Sequence, residues 1–200
     1  MTLPSIPVRI VAAALILALA LVSVVVREGA ARAQGQEVRL AITGYDPRSL
    51  LTGQYVQFRL VDTLPAEQVC RVADKRMEPL DGRWFAIRRA GAEHQIVAAA
   101  PSRDAALRLG EAAVRGTAEC YGIVTTAADG RRTASSVTLS LDIGVDRIHL
   151  EEAEAKSLDA ALRRPDAVAA SWAVISIGRD GKARLKGLIV GDRRADLSWF

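Results

Sequence analysis

Ile10–Val26 reads IVAAALILALALVSVVV, with no charge and no strong helix breaker. This run divides the chain into a part that enters a bilayer and a part that folds in water. It holds 17 residues, or 21 when Ile6 to Arg9 are counted. At ~1.5 Å of rise per residue the longer version spans about 31 Å, enough for a hydrocarbon core of ~30 Å. Arg9 falls near one end, where its long stem can carry the guanidinium back to the headgroups. A buried core helix is the poorest reading, because nothing else in the chain has enough apolar surface to wrap a helix that is greasy on all sides. Two readings remain. One is an uncleaved signal anchor. The other is a secretory signal peptide, with Arg9 as its basic region and Ala31-Arg32-Ala33 as an A-x-A cleavage site before Gln34. The length of the run favours the anchor, and both readings carry residues 34–200 across the membrane. The expected organisation is a cytoplasmic flank over 1–9, a transmembrane helix over 10–26, a linker over 27–36 and an extracytoplasmic β-rich domain over 37–200. The expected location is the inner (cytoplasmic) membrane, single-pass, with the C-terminal domain periplasmic or extracytoplasmic.

The water-soluble part has the size of one domain with its own core. The net charge of the whole chain, +4, is spread along it. No basic block interleaved with aromatics occurs, which argues against nucleic-acid binding. Cys70 and Cys120 could close a 50-residue loop as a disulfide in an oxidising compartment, or remain two buried thiols. Two separated cysteines and two separated histidines, His94 and His149, show no metal-ligand spacing, and no cofactor motif is present.

Beyond the apolar run the patterning is strand-like. Val38–Ile42, Tyr55–Leu60, Gln68–Val72, Trp84–Ile87, Gln95–Ala99 and Ala118–Thr125 read as strands. Ser136–Ile143, with strict alternation, is the clearest of them. Asp46-Pro47-Arg48 reads as a capped turn. Ser102–Leu109 can start a helix, and Glu151–Arg164, rich in Ala, Leu, Glu and Lys and stopped by Pro165, is the clearest helix. Ser171–Ile177 and Ala183–Val190 form a closing hairpin around Arg179-Asp180-Gly181. The expected fold is mainly β with one or two short helices, an antiparallel barrel or sandwich-like domain behind one N-terminal transmembrane helix.

Three segments together resemble the GDYXXLXY proteins. Tyr45–Leu60, YDPRSLLTGQYVQFRL, is similar to the family's D-P-R turn leading into a G-D-Y strand. The signature Gly and Tyr are Gly53 and Tyr55, whereas its Asp, Leu and final Tyr are Gln54, Phe58 and Leu60. Val145–Ala153, VDRIHLEEA, resembles the family's I-E-R-Y-F-x-x-E-G run: Asp146, Arg147 and Glu152 match in character, and the aromatic pair is Ile148-His149. The third segment is the closing hairpin, Asp180–Leu188. The resemblance implies a membrane-anchored bacterial protein without an established reaction, accompanying a multi-pass membrane protein.

The motif residues that the resemblance singles out for interaction are Asp46, Pro47, Arg48, Gly53, Tyr55, Arg59, Asp146, Arg147 and Glu152. Asp146, Glu151 and Glu152 are paired carboxylates that general acid–base work could use, but the plainer reading is acids favoured at a helix N-terminus, with Arg147 paired to one of them. His149 alternates with apolar neighbours and reads as a wall residue. No catalytic set is identified. The leading expectation is an accessory or interaction partner of an integral membrane protein. The alternative is an envelope hydrolase or small-ligand-binding domain using the Asp146/Arg147/Glu152 region.

Overall fold

A computed structural model describes residues 6–44, 55–61, 64–73, 76–79, 84–126, 132–162, 164 and 170–197. The first element, helix α1 (Ile6–Gln34), contains the whole apolar run and takes up most of the stretch expected as a linker, leaving Gly35 between it and the first strand. None of its residues is buried, and the large apolar side chains from Ile6 to Val26 are 50–72% exposed. That disposes of the core-helix reading: this helix is apolar all round and has no protein cover. By length and composition it can cross a membrane, as a single-pass anchor would.

The rest is mostly β. The strands are β1 (Gln36–Gly44), β2 (Tyr55–Leu60), β3 (Cys70–Ala73), β4 (Arg76–Pro79), β5 (Trp84–Ala90), β6 (Glu93–Ala100), β7 (Ala112–Arg115), β8 (Thr117–Thr126), β9 (Arg132–Asp142), β10 (Arg147–His149), β11 (Ser171–Ile177), β12 (Ala183–Val190) and β13 (Arg193–Asp196). Helices α2 (Arg103–Leu109) and α3 (Glu152–Leu162) interrupt them. The main sheet runs β13-β12-β11-β1-β6-β5-β7, and β2 pairs with both β1 and β10. All its ladders are antiparallel except the single parallel bridge of β1 to β6 at Leu40 and His94. The sheet curls, so that the Arg115 amide of β7 donates to the Gly181 carbonyl in the β11–β12 turn at 2.8 Å. Among the described residues no ladder joins β7 to β11 or β12, so the fold is sandwich-like and not a closed barrel.

Successive residues of β5 supply both faces. Phe85 and Ile87 enter the main core with Val38, Leu40, Ile42, Val56, Phe58, Ile148 and Ile175. Ala86 points the other way and meets Ala100, Ala106 and Ala113 under α2. Small side chains on that face let the helix lie close. Ser102 caps α2, its Oγ accepting from the Ala105 amide at 3.2 Å. On the other face α3 buries Ala155, Leu158 and Leu162, a stripe at helical spacing against the main core.

Strands β3–β4 and β8–β9 make two separate ribbons. Cys70 of β3 and Cys120 of β8 form a disulfide that staples them, beside a small cluster of Leu64, Val69 and Leu139. The strand expected over Gln68–Val72 begins at Cys70, after a short 3-10 turn at Ala66–Gln68.

Candidate functional site

Where α1 leaves the apolar run it docks on the domain. Glu28, Ala31, Arg32 and Gly35 follow one another at helical spacing, and both charged side chains on this face reach the β11–β12 hairpin or the strand beyond it. Arg184, on β12 and only 10% exposed, lies between two carboxylates. Its Nε donates to Glu28 Oε2 at 2.7 Å and its Nη2 to Asp180 Oδ2 at 3.0 Å. Such charge-assisted, two-sided bonding is geometrically demanding and fixes a planar guanidinium. Asp180's carboxyl falls to about 2, because Arg184 hydrogen-bonds to it. Arg184's own pKa is raised by Asp180 first and Glu28 second. One turn further on, Arg32 donates to the carbonyl oxygens of Leu197, at 2.6 Å, and Lys186, at 3.2 Å. The Lys186 carbonyl also accepts from the Leu197 amide at 2.8 Å, so Arg32 caps the place where the chain beyond β13 meets β12.

Two glycines permit this arrangement. At Gly35, between α1 and β1, a Cβ would collide with Ser176 Oγ and stand 2.8 Å from the Ile177 carbonyl oxygen. At Gly181, φ is +76° and a Cβ would run into the Trp84 ring. The hairpin turn can therefore tuck under Trp84 and Arg115, whose guanidinium carbon sits 5.7 Å from that ring's centre.

Beside the docked helix end is a cleft of about 520 Å³, lined by Glu28, Arg32, Asp146, Arg147, His149, Arg184, Leu185 and Leu197 among others. Strands β2 and β10 bring its outer wall together. Their register pairs Arg147 with Gln57, Ile148 with Val56 and His149 with Tyr55, and the Phe58 amide donates to the Asp146 carbonyl at 2.9 Å. Ile148 is buried in the core, while Arg147 and His149 face outward. The Arg147 guanidinium carbon lies 5.7 Å from the Tyr55 ring centre, and the His149 ring is 5.8 Å from it, tilted by 57°. His149 is thus an exposed neighbour of Tyr55 and not the wall residue expected from alternation: its strand is only three residues long, and the residue facing the core is Ile148.

Arg147 also holds its sequence neighbour. Its Nη2 donates to Asp146 Oδ2 at 2.6 Å and its Nε to Asp146 Oδ1 at 3.0 Å. The Arg147 hydrogen bonds keep the Asp146 carboxyl below its usual range, so at neutral pH it is an anion and an acceptor, not a proton donor. Glu152 is elsewhere. It sits in the first turn of α3, exposed, with Lys156 Nζ donating to its Oε1 at 2.6 Å. The expected trio therefore splits into a cleft pair and a solvated helix pair. Arg59 is exposed on β2 opposite Thr43. Asp46, Pro47, Arg48 and Gly53 lie outside the described residues. Among the described residues no group of three potential ligands could hold a metal ion.

The Asp146–His149 run and the closing hairpin line this cleft, and the strand beginning at Tyr55 pairs with the first of them. A family model described as GDYXXLXY protein matches residues 17–188. The chain belongs to the GDYXXLXY protein family. No curated protein and no solved structure matches it. The GDYXXLXY signature strand, β2, is thus the element that ties β10 to the main sheet, with its Tyr55 under Arg147. Sequence reasoning missed Glu28, Arg32, Asp180 and Arg184 as parts of one arrangement. The available signal was the helical spacing of Glu28 and Arg32 just past the apolar run, opposite a basic hairpin.

Proposed function

We propose that this GDYXXLXY protein is a single-pass, inner-membrane protein whose domain over 37–200 lies on the periplasmic or extracytoplasmic side and serves as an accessory partner of a multi-pass membrane protein. On this reading residues 1–9 are a cytoplasmic flank and 10–26 the membrane-spanning part of an uncleaved signal anchor. The observation that carries the reading is the docking of the helix end: Glu28 and Arg32 clamp α1 to β12, so the membrane helix and the domain share one joint. A rigid joint lets the domain hold a defined orientation over the bilayer, which an accessory subunit needs and a loosely tethered one lacks. Retention of α1 is supported by the same contacts. Ala31-Arg32-Ala33 is helical and Arg32 is engaged, whereas proteolytic sites favour exposed, unpaired backbone. The Cys70–Cys120 disulfide suits an oxidising compartment on the far side of the membrane. The cleft offers Arg147 and His149, with Tyr55 against both, as an outward-facing polar and aromatic patch next to the helix, where a partner's membrane-proximal loop can reach it.

The test is site-specific photo-crosslinking in native cells, with the probe at His149 in the cleft, at Leu17 in the apolar run, or at Arg71 on β3. Adducts with one multi-pass membrane protein from His149 and Leu17, and not from Arg71, are the expected result. Absence of such adducts, or equal yield from all three positions, overturns the reading. Intact mass of the mature protein reads the anchor directly, since an N-terminus at Gln34 removes it.

A further inference from the structure

On the opposite flank of the docked helix end lies a second cleft, of about 560 Å³, between α1, the β11–β12 turn and α2. We infer that this cleft binds the phosphate of an anionic phospholipid headgroup. Arg27 from α1, Arg103 from α2 and Arg179 from the turn line it, together with Arg184 and Asp180. Arg184 is already committed to Glu28 and Asp180. Arg27, Arg103 and Arg179 have no ion-pair or hydrogen-bond partner among the described residues. Three arginines from three separate elements line one cavity whose carboxylate, Asp180, is already taken by Arg184; an anion bound there would relieve the repulsion of their charges, and a phosphate matches the guanidinium fork.

The position selects the source of that phosphate. Arg27 is the first charged residue after the apolar run. From Arg27 to Gln34 the helix climbs about 10 Å, which carries it through the headgroup layer of roughly 5–7 Å that borders the hydrocarbon. The cleft therefore opens where lipid phosphates lie when Ile10–Val26 spans the bilayer. Ala30 and Ala31 keep the helix wall low, and Leu107 and Ile177 give an apolar floor on which a glycerol backbone can rest. Anionic headgroups attract basic side chains that lie at this depth. The inference rests on retention of α1, which the proposed function also assumes, but it needs no protein partner.

The experiment uses the full chain in a mild non-ionic detergent. Native mass spectrometry first verifies that α1 is present and then follows titration with phosphatidylglycerol or phosphatidylcholine. The expected result is one phosphatidylglycerol bound in preference to phosphatidylcholine. The triple variant Arg27→Gln, Arg103→Gln, Arg179→Gln should weaken it at least about tenfold. An equal-charge control, Arg71→Gln, Arg89→Gln, Arg164→Gln, should leave it unchanged, and millimolar inorganic phosphate should not displace it. Equal weakening by both triple variants, no preference over phosphatidylcholine, displacement by inorganic phosphate, or loss of α1 from the mature chain each overturns the inference. The crosslink from His149 is read separately, so failure of the partner reading and failure of lipid binding are distinguishable.

Discussion

Strands β11 and β8 are built on opposite terms. Every residue of β11 except Trp172 is buried, and it lies between β1 and β12 in the middle of the main sheet. Strand β8 is longer, has no buried residue, and leaves Tyr121 and Ile123 more than half exposed. Among the described residues it pairs only with β9, and it is tied to β3 through the Cys70–Cys120 disulfide. The first region coheres by removing apolar surface from water. The second has little to bury and depends on a covalent link that restricts its unfolded states. A long strand pairing is therefore not by itself a sign of a core: a two-stranded ribbon is marginal without added support.

The largest effect expected is on the main sheet. Phe85→Ala removes a fully buried ring from the main core and should cost about 3–5 kcal/mol. Thermal unfolding of the full chain in detergent would read it, and a loss below about 1 kcal/mol would mean that this core is not what holds the sheet. The next concerns the ribbons. Replacing Cys70 and Cys120 together by alanine should cost about 2–4 kcal/mol. Hydrogen exchange should quicken in β3, β8 and β9 while β11 keeps its protection. Equal loss of protection in β11 would show that sheet and ribbon open as one unit.

The smallest effect is a pH dependence seated in the main sheet. His94 is 7% exposed at the bridge between β1 and β6. Its Nδ1 accepts from the Arg39 amide at 3.2 Å, so Nε2 carries the proton and faces Glu111 Oε1 at 3.1 Å. Burial lowers its pKa more than Glu111 raises it, with Arg89 and Arg39 also lowering it. The unfolded imidazole takes up its proton near about 6.5, before the folded one does. The folded state should therefore lose stability as pH falls below about 6.5, and change little from this group above it. His94→Gln should flatten the slope of melting temperature between about pH 5 and 7. An unchanged slope would remove His94 from the account.

Much of the secondary structure was legible because its signals are local. Tyr55–Leu60, Ser171–Ile177 and Ala183–Val190 match their strands end to end, and α3 runs over Glu152–Leu162 within the expected Glu151–Arg164. Strands β4, β7, β10 and β13, each of three or four residues, were not foreseen, because so few positions carry no period. The clearest alternation, over Ser136–Ile143, belongs to the half-solvated ribbon. The central strand β11 reads as the nearly continuous run SWAVISI, because alternation reports burial on one face and not on two. The candidate site was legible only in pieces. Asp146 and Arg147 were foreseen as a pair, but the separation of Glu152 and the meeting of Tyr55 with Arg147 depend on the β2–β10 register.

The sequence by itself determined the apolar run Ile10–Val26, the β-rich character of the chain beyond it and the GDYXXLXY resemblance, since each rests on composition or short-range pattern. The tertiary structure alone decided that Cys70 faces Cys120, that α1 docks through Glu28 and Arg32, and that the Asp146–His149 run and the closing hairpin share one cleft. Those facts join residues up to 165 positions apart. Closing such separations has an entropic cost that no local pattern records, and it is offset only when the whole sheet assembles.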